Sequence, residues 1–168
     1  MGASPRASTR AIADDRHPAP TTLSRVSNQQ LTLDLAQGLL AAQPFSSLIG
    51  ARLTEFGADA AVLEIEIRDE LRQQNGFVHG GVLSYAADNA LTFAGGTALG
   101  AAVLTGGFTI SFLRPVDGRT VRAHATVVHA TSRQAVCRCD IYALDDGAPP
   151  VLCATAQGTV VAAPGRSR

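Results

Sequence analysis

The sequence predicts an α+β domain in which one antiparallel sheet of about six strands wraps a single long central helix, with a short helix ahead of it. Three observations predict this. Residues 79–94 are apolar on nearly every side, so they belong in a core. Two β-type runs precede that segment and four follow it, and the later runs are joined by turn residues rather than by helix. With 168 residues and 46% apolar content, the chain can bury one core of its own. The expected division is a disordered N-terminal tail (1–27), one domain (28–163) and a C-terminal tail (164–168).

Taken in order, the tail is rich in Ala, Ser, Thr, Arg and Pro without periodicity, and such a composition cannot bury enough surface to order itself. Asp14 and Asp15 argue against a transit peptide. From 28 to 43, Leu31, Leu35, Leu39 and Ala42 recur at helical spacing, and Pro44 stops the pattern. Residues 49–56 and 60–67 read as strands joined at Gly57-Ala58-Asp59. In the second, Leu63, Ile65 and Ile67 alternate with Glu64 and Glu66, so one sheet face is wet. A polar connection leads to the central helix, which Gly95-Gly96 are expected to close. Strands 102–114, 119–130, 133–145 and 151–162 then follow as a meander. Exposed sheet edges would need covering, and pairing across a two-fold axis achieves it.

Composition excludes several chemistries. All 14 basic residues are Arg, so a Schiff-base lysine, pyridoxal phosphate and a Walker-type phosphate loop are absent. Fourteen acids balance them, leaving no basic footprint for nucleic acid. Only 17% of residues are charged, against about 25% in ordinary soluble chains, which points to a surface partly covered by another subunit. No segment reaches the roughly 18–20 uninterrupted apolar residues of a spanning helix, and a cytoplasmic protein is expected. Cys137, Cys139 and Cys153 form no Cys-x-x-Cys pair and are expected as reduced core thiols. No His–carboxylate set has metal spacing, so no metal is expected. His124 and His129 read as sheet residues. Arg114, Arg119 and Arg133 fall at strand ends, as solvated side chains or as phosphate contacts.

Between Gly80 and Leu113 the only formal charge is Asp88, in the middle of the apolar helix. An ionised carboxylate there costs several kcal/mol unless paired or hydrated, so it has either a structural hydrogen-bonding role or a catalytic one. At the helix start, Gly80 and Gly81 carry no side chains. Either they merely permit a sharp entry turn, or they leave the first-turn amides bare for an acyl oxygen. Eight residues at about 1.5 Å each separate Gly80 from Asp88 by about 12 Å. One carbonyl therefore cannot touch both within a chain, whereas two antiparallel helices across a two-fold would bring them together twice.

The run Gln73-Gln74-Asn75-Gly76-Phe77-Val78-His79-Gly80-Gly81-Val82, followed by Ala87-Asp88-Asn89-Ala90, resembles the signature of hotdog-fold acyl-CoA thioesterases of the PaaI and 4-hydroxybenzoyl-CoA thioesterase type. Phe108 to Pro115 is similar to that family's next strand, and the resemblance spans about residues 43–162. It implies a hotdog fold and hydrolysis of an acyl-CoA or aryl-CoA thioester by an obligate homodimer, paired further as a dimer of dimers. No cofactor is implied beyond the coenzyme A of the substrate. By the same resemblance Asp88 is nucleophile or general base, and the Gly80 amide polarises the carbonyl from the opposing subunit. His79 orients, Gln73 supplies a side-chain amide with Asn75 as a nearby substitute, and Thr92 and Thr105 orient water. Gly81 and Arg114 are further substrate contacts, Arg114 toward coenzyme A phosphates. Gln73 with Thr92 matches the aryl-CoA branch, while Asp88 in place of Glu matches the PaaI branch. Two other readings are a hotdog dehydratase or hydratase, whose His-Phe-Pro motif is missing here, and a non-catalytic acyl-CoA-binding protein.

Overall fold

The computed structural model describes residues 31–163. The expected tails 1–27 and 164–168 lie outside the described residues. Helix α1 (Leu33–Ala41) opens with Thr32, whose hydroxyl accepts from the Leu35 N–H. It buries Ala36 and Leu40. A second helix, α2 (Pro44–Ile49), follows directly. The expected single helix ending at Pro44 is thus corrected: Pro44 takes the first helical position, where its missing N–H costs nothing. Gly50, at φ 78°, closes α2, and the Arg68 guanidinium donates to the Ile49 carbonyl at 2.7 Å.

Strands β1 (Ala51–Gly57) and β2 (Ala60–Glu66) form a hairpin. A 3₁₀ turn (Asp69–Leu71) leads to α3 (Gly80–Leu99), followed by β3 (Val103–Phe112), β4 (Thr120–Ala130), β5 (Gln134–Leu144) and β6 (Val151–Ala162). All six strands form one antiparallel sheet in the order β1-β2-β4-β5-β6-β3. The expected meander holds for β4, β5 and β6. It fails for β3, which crosses to the far edge and pairs with β6, because hydrophobic alternation marks a strand but not its partner.

Helix α3 packs against all six strands, as the predicted hotdog arrangement requires. Most of its buried residues are small, Ala86, Ala87, Ala90, Ala94, Gly95 and Gly96, beside the larger Val82, Leu83 and Leu91. The sheet answers with Ala123, Ala125, Cys137, Cys139 and Ala156 on its inner face, so helix and sheet approach closely. All three cysteines are free and buried, as expected. Leu63 and Ile65 point inward, and across the outer face Glu64 takes a hydrogen bond from Arg122 Nε at 2.8 Å. His124 and His129 are exposed on β4.

Two expectations for the central helix are corrected. It does not stop at Gly95-Gly96 but runs to Leu99. A Cβ at Gly95 would lie 2.7 Å from Val160 Cβ, so that glycine serves a close helix–sheet contact rather than a helix end. Nor is the helix buried all round: Ser84, Tyr85, Asp88, Asn89 and Thr92 form a half-exposed stripe that no other part of the described chain covers fully.

Candidate active site

The sequence-predicted residues gather into two groups at different heights along α3. The first surrounds its amino end. There the chain from Leu71 to His79 is held by backbone bonds: Gln73 N–H to the Phe77 carbonyl at 2.8 Å, His79 N–H to Leu71 at 2.8 Å, and Val78 N–H to Val116 at 3.1 Å. Arg72 Nη1 donates to the Gly76 carbonyl at 2.6 Å and clamps the turn from inside.

His79 is the helix cap. Its Nδ1 accepts from the Gly81 N–H at 2.9 Å, which assigns the ring proton to Nε2. The expectation that both glycine amides stand bare is therefore corrected, since the imidazole occupies Gly81. A Cβ on Gly81 would sit 2.9 Å from that same Nδ1, so the glycine lets the ring fold over the helix end. The Gly80 N–H, by contrast, meets no acceptor among the described residues. It opens on a cleft of about 310 Å3 lined by Gln73, Phe77, Phe112 and Arg114 among others. Gln73, Gly80 and Arg114 are thus brought together. Arg114 is anchored by Nη1 to the Leu152 carbonyl at 3.0 Å. Asn75 is exposed on the turn and lines neither this cleft nor the next.

The second group lies two turns along the helix. Asp88 is half-buried, and its Oδ1 accepts from the Thr105 hydroxyl on β3 at 2.6 Å. Thr105 in turn meets Thr92 Oγ1 at 2.8 Å, and Thr92 Oγ1 also lies 2.8 Å from the Asp88 carbonyl oxygen. Thr105 has one proton and gives it to the carboxylate, and the single Thr92 proton is shared between the Asp88 carbonyl oxygen and Thr105 Oγ1. The relay fixes one carboxylate oxygen. Asp88 Oδ2 receives no donor among the described residues and is left to the cleft. This cleft, of about 410 Å3, is bounded by Gln43, Phe45, Ser46, Tyr85, Asn89 and Phe108 among others.

Tyr85 escaped the sequence reading. Its hydroxyl is buried with no hydrogen-bond partner among the described residues, and its ring meets Phe45 edge-on with centroids 5.3 Å apart. Burial raises its pKa above the ordinary tyrosine value, and the Asp88 charge adds to it. Position was the available signal, because Tyr85 precedes Asp88 by three residues and so shares its helix face. No group of His, Cys, Asp and Glu among the described residues could hold a metal, and no described helix is long and apolar enough to cross a membrane.

Comparison with known proteins agrees with this architecture. A family model described as the thioesterase superfamily matches residues 75–149. A protein of Mycobacterium tuberculosis named as an esterase is 31% identical over 96 residues, covering 54% of this chain and 69% of that protein. Among solved structures, a thioesterase family protein from Silicibacter pomeroyi superposes with a TM-score of 0.72 at 31% identity, over 77% of this chain and 96% of that one. A mutant of the phenylacetic acid degradation protein PaaI from Thermus thermophilus gives 0.62 at 26% identity, over 71% and 99%.

Proposed function

The chain belongs to the thioesterase superfamily and is a thioester hydrolase; from that premise we propose that it cleaves an acyl-CoA or aryl-CoA thioester at a site shared between two copies. The observation that carries this reading is the Asp88 carboxylate: one oxygen is pinned by Thr105, and the other is free toward a cleft on the uncovered face of α3. A carboxylate so placed can take a proton from water or attack the carbonyl itself, the mixed anhydride then being opened by water. Either route develops negative charge on the carbonyl oxygen. The Gly80 N–H at a helix tip is suited to receive it, but it lies about 12 Å from Asp88 along its own helix. The donor therefore comes from a partner subunit whose helix runs antiparallel. Arg114 lines the Gly80 cleft, and a guanidinium there suits a phosphate of the coenzyme A portion.

The deciding experiment is free-thiol release from a panel of coenzyme A thioesters by wild type and Asp88→Asn. The variant keeps the side-chain volume and the Thr105 contact but lacks a basic oxygen. We expect turnover to fall by at least about 100-fold, with unchanged circular dichroism and oligomer mass. Wild-type turnover retained in a folded Asp88→Asn protein would remove the carboxylate from the chemistry.

A further inference from the structure

The Asp88 cleft shares a wall with a second chamber. Gln43 and Asn89 line both. Beyond them lies a space of about 170 Å3 beneath α1, bounded by Leu39, Phe56, Phe93, Val103 and Gly96 among others. Thr92 also lines it, so the chamber begins beside the hydroxyl relay that holds the carboxylate. One atom of each amide in the dividing wall is engaged within the chain: Gln43 Oε1 accepts from the Ser46 hydroxyl at 2.7 Å, and Asn89 Nδ2 donates to the Tyr85 carbonyl at 3.3 Å. What remains facing the chamber is mostly aliphatic and aromatic.

Gly96 supplies the second observation. A glycine within a helix is less favourable than alanine, so it calls for a reason. Its neighbour Gly95 has one in Val160. Gly96 has none of that kind: a Cβ there would come no closer than 3.8 Å to Val103 Cγ2, an ordinary contact. Packing tolerates a side chain at this position, and the effect of having none is to keep the chamber open.

We infer that this chamber receives the apolar tail of the substrate's acyl group, and that the missing side chain at Gly96 sets how long a tail is accepted. The inference rests on the thioester reading above. A dry cavity of about 150 Å3 holds a benzene molecule, so this chamber suits an alkyl end of about that size. Each methylene that reaches it should raise kcat/KM by about fourfold, the equivalent of about 0.8 kcal/mol of burial.

The test compares wild type, Gly96→Ala and Gly96→Leu on straight-chain acyl-CoAs from two to ten carbons, with calorimetric binding of the matching free alkyl carboxylates alongside. We expect the ratio of octanoyl to acetyl kcat/KM to fall about fourfold in Gly96→Ala and 10- to 100-fold in Gly96→Leu. The length dependence of carboxylate affinity should shrink in parallel. A common loss at every length, or an unchanged length profile in both variants, overturns the inference. If wild type releases no thiol from any acyl-CoA, the hydrolysis reading fails separately. The carboxylate series then decides: affinity that climbs with length in wild type and not in Gly96→Leu upholds the chamber, and affinity indifferent to length in both overturns it.

Discussion

At the scale of single residues, the site is a hydrogen-bond chain in which each member has a separable job. Thr105→Val removes the proton donated to Asp88 Oδ1 while keeping the shape of the side chain, so the carboxylate loses its fixed orientation. We expect kcat to fall by about 10- to 150-fold with little change in KM, the equivalent of one charge-assisted bond of about 1.5–3 kcal/mol; steady-state kinetics with a single acyl-CoA checks it. Gly80→Ala probes the other half. Its Cβ would meet Phe112 at 3.5 Å, an ordinary contact, so the chain's own fold accepts it, whereas a carbonyl approaching that N–H would not. The buried thiols give a pH signature. Burial pushes Cys137 to about 11 and, with the Asp140 charge adding to burial, Cys139 to about 12. Below the ordinary thiol range near 8.5, folded and unfolded chains hold these protons alike and the stability is fully present. As pH rises from there toward 11–12, only the unfolded chain releases them, so stability falls. Urea titrations at pH 8, 10 and 11 should show that decline, and it should be shallower in a Cys137→Ala/Cys139→Ala variant. Asp88 and Gly80 could be picked out as candidates in the sequence because a lone charge and paired glycines stand out in apolar surroundings, whereas His79 entered only through the family resemblance. Tyr85 was not, because nothing in a tyrosine's neighbours along the chain announces that its hydroxyl lacks a partner.

Among the elements, α3 was readable by its composition but not by its end. Two consecutive glycines look like a stop, yet Gly95 is where the helix lies against Val160 and Gly96 is where it faces a chamber. The two positions should respond oppositely to the same substitution. Gly95→Ala forces a Cβ to within 2.9 Å of three Val160 carbons and should destabilise by about 1–3 kcal/mol. Gly96→Ala should stabilise by about 0.5–1 kcal/mol. A thermal melt in which both variants shift the same way would remove this distinction. The same ambiguity hid α2, since Pro44 serves equally to end one helix and to begin another. Strand β2 and strand β6 fell close to their expected limits because alternation is a local property. The far-edge position of β3 is not local, and only the pairing with β6 reveals it.

For the whole molecule, the two edges of the sheet are treated differently. Edge strand β1 is bulged between Leu53 and Glu55, backed by α1, and capped where Gln37 Nε2 donates to the Leu53 carbonyl at 2.9 Å. Edge strand β3 has ten residues and a bulge of its own between Thr105 and Gly107, but no cover of the kind α1 gives β1 among the described residues, and exposed Leu104 and Phe112. An uncovered, apolar edge of that length is suited to pairing with a second copy, so we expect the proposed dimer to form along β3. This strand also links the two half-sites: Phe112, at its end, packs beside Gly80, while Thr105, near its start, holds Asp88. If two β3 strands pair antiparallel about a two-fold near residues 108 and 109, residue 112 of each copy faces residue 105 of the other. Each Gly80 is thereby carried toward the partner's Asp88. Leu104→Glu tests this, because the side chain is 56% exposed in the single chain and its replacement costs the isolated fold little. Across the two-fold, however, it places a charge in an apolar seam. We expect light scattering to report a monomer with native circular dichroism and thioester turnover reduced by about 100-fold or more, the loss anticipated when an oxyanion donor is withdrawn. A fully active monomer, whether of this variant or of the wild type, would mean that one chain alone brings donor and carboxylate together, which a helix spacing of eight residues does not allow.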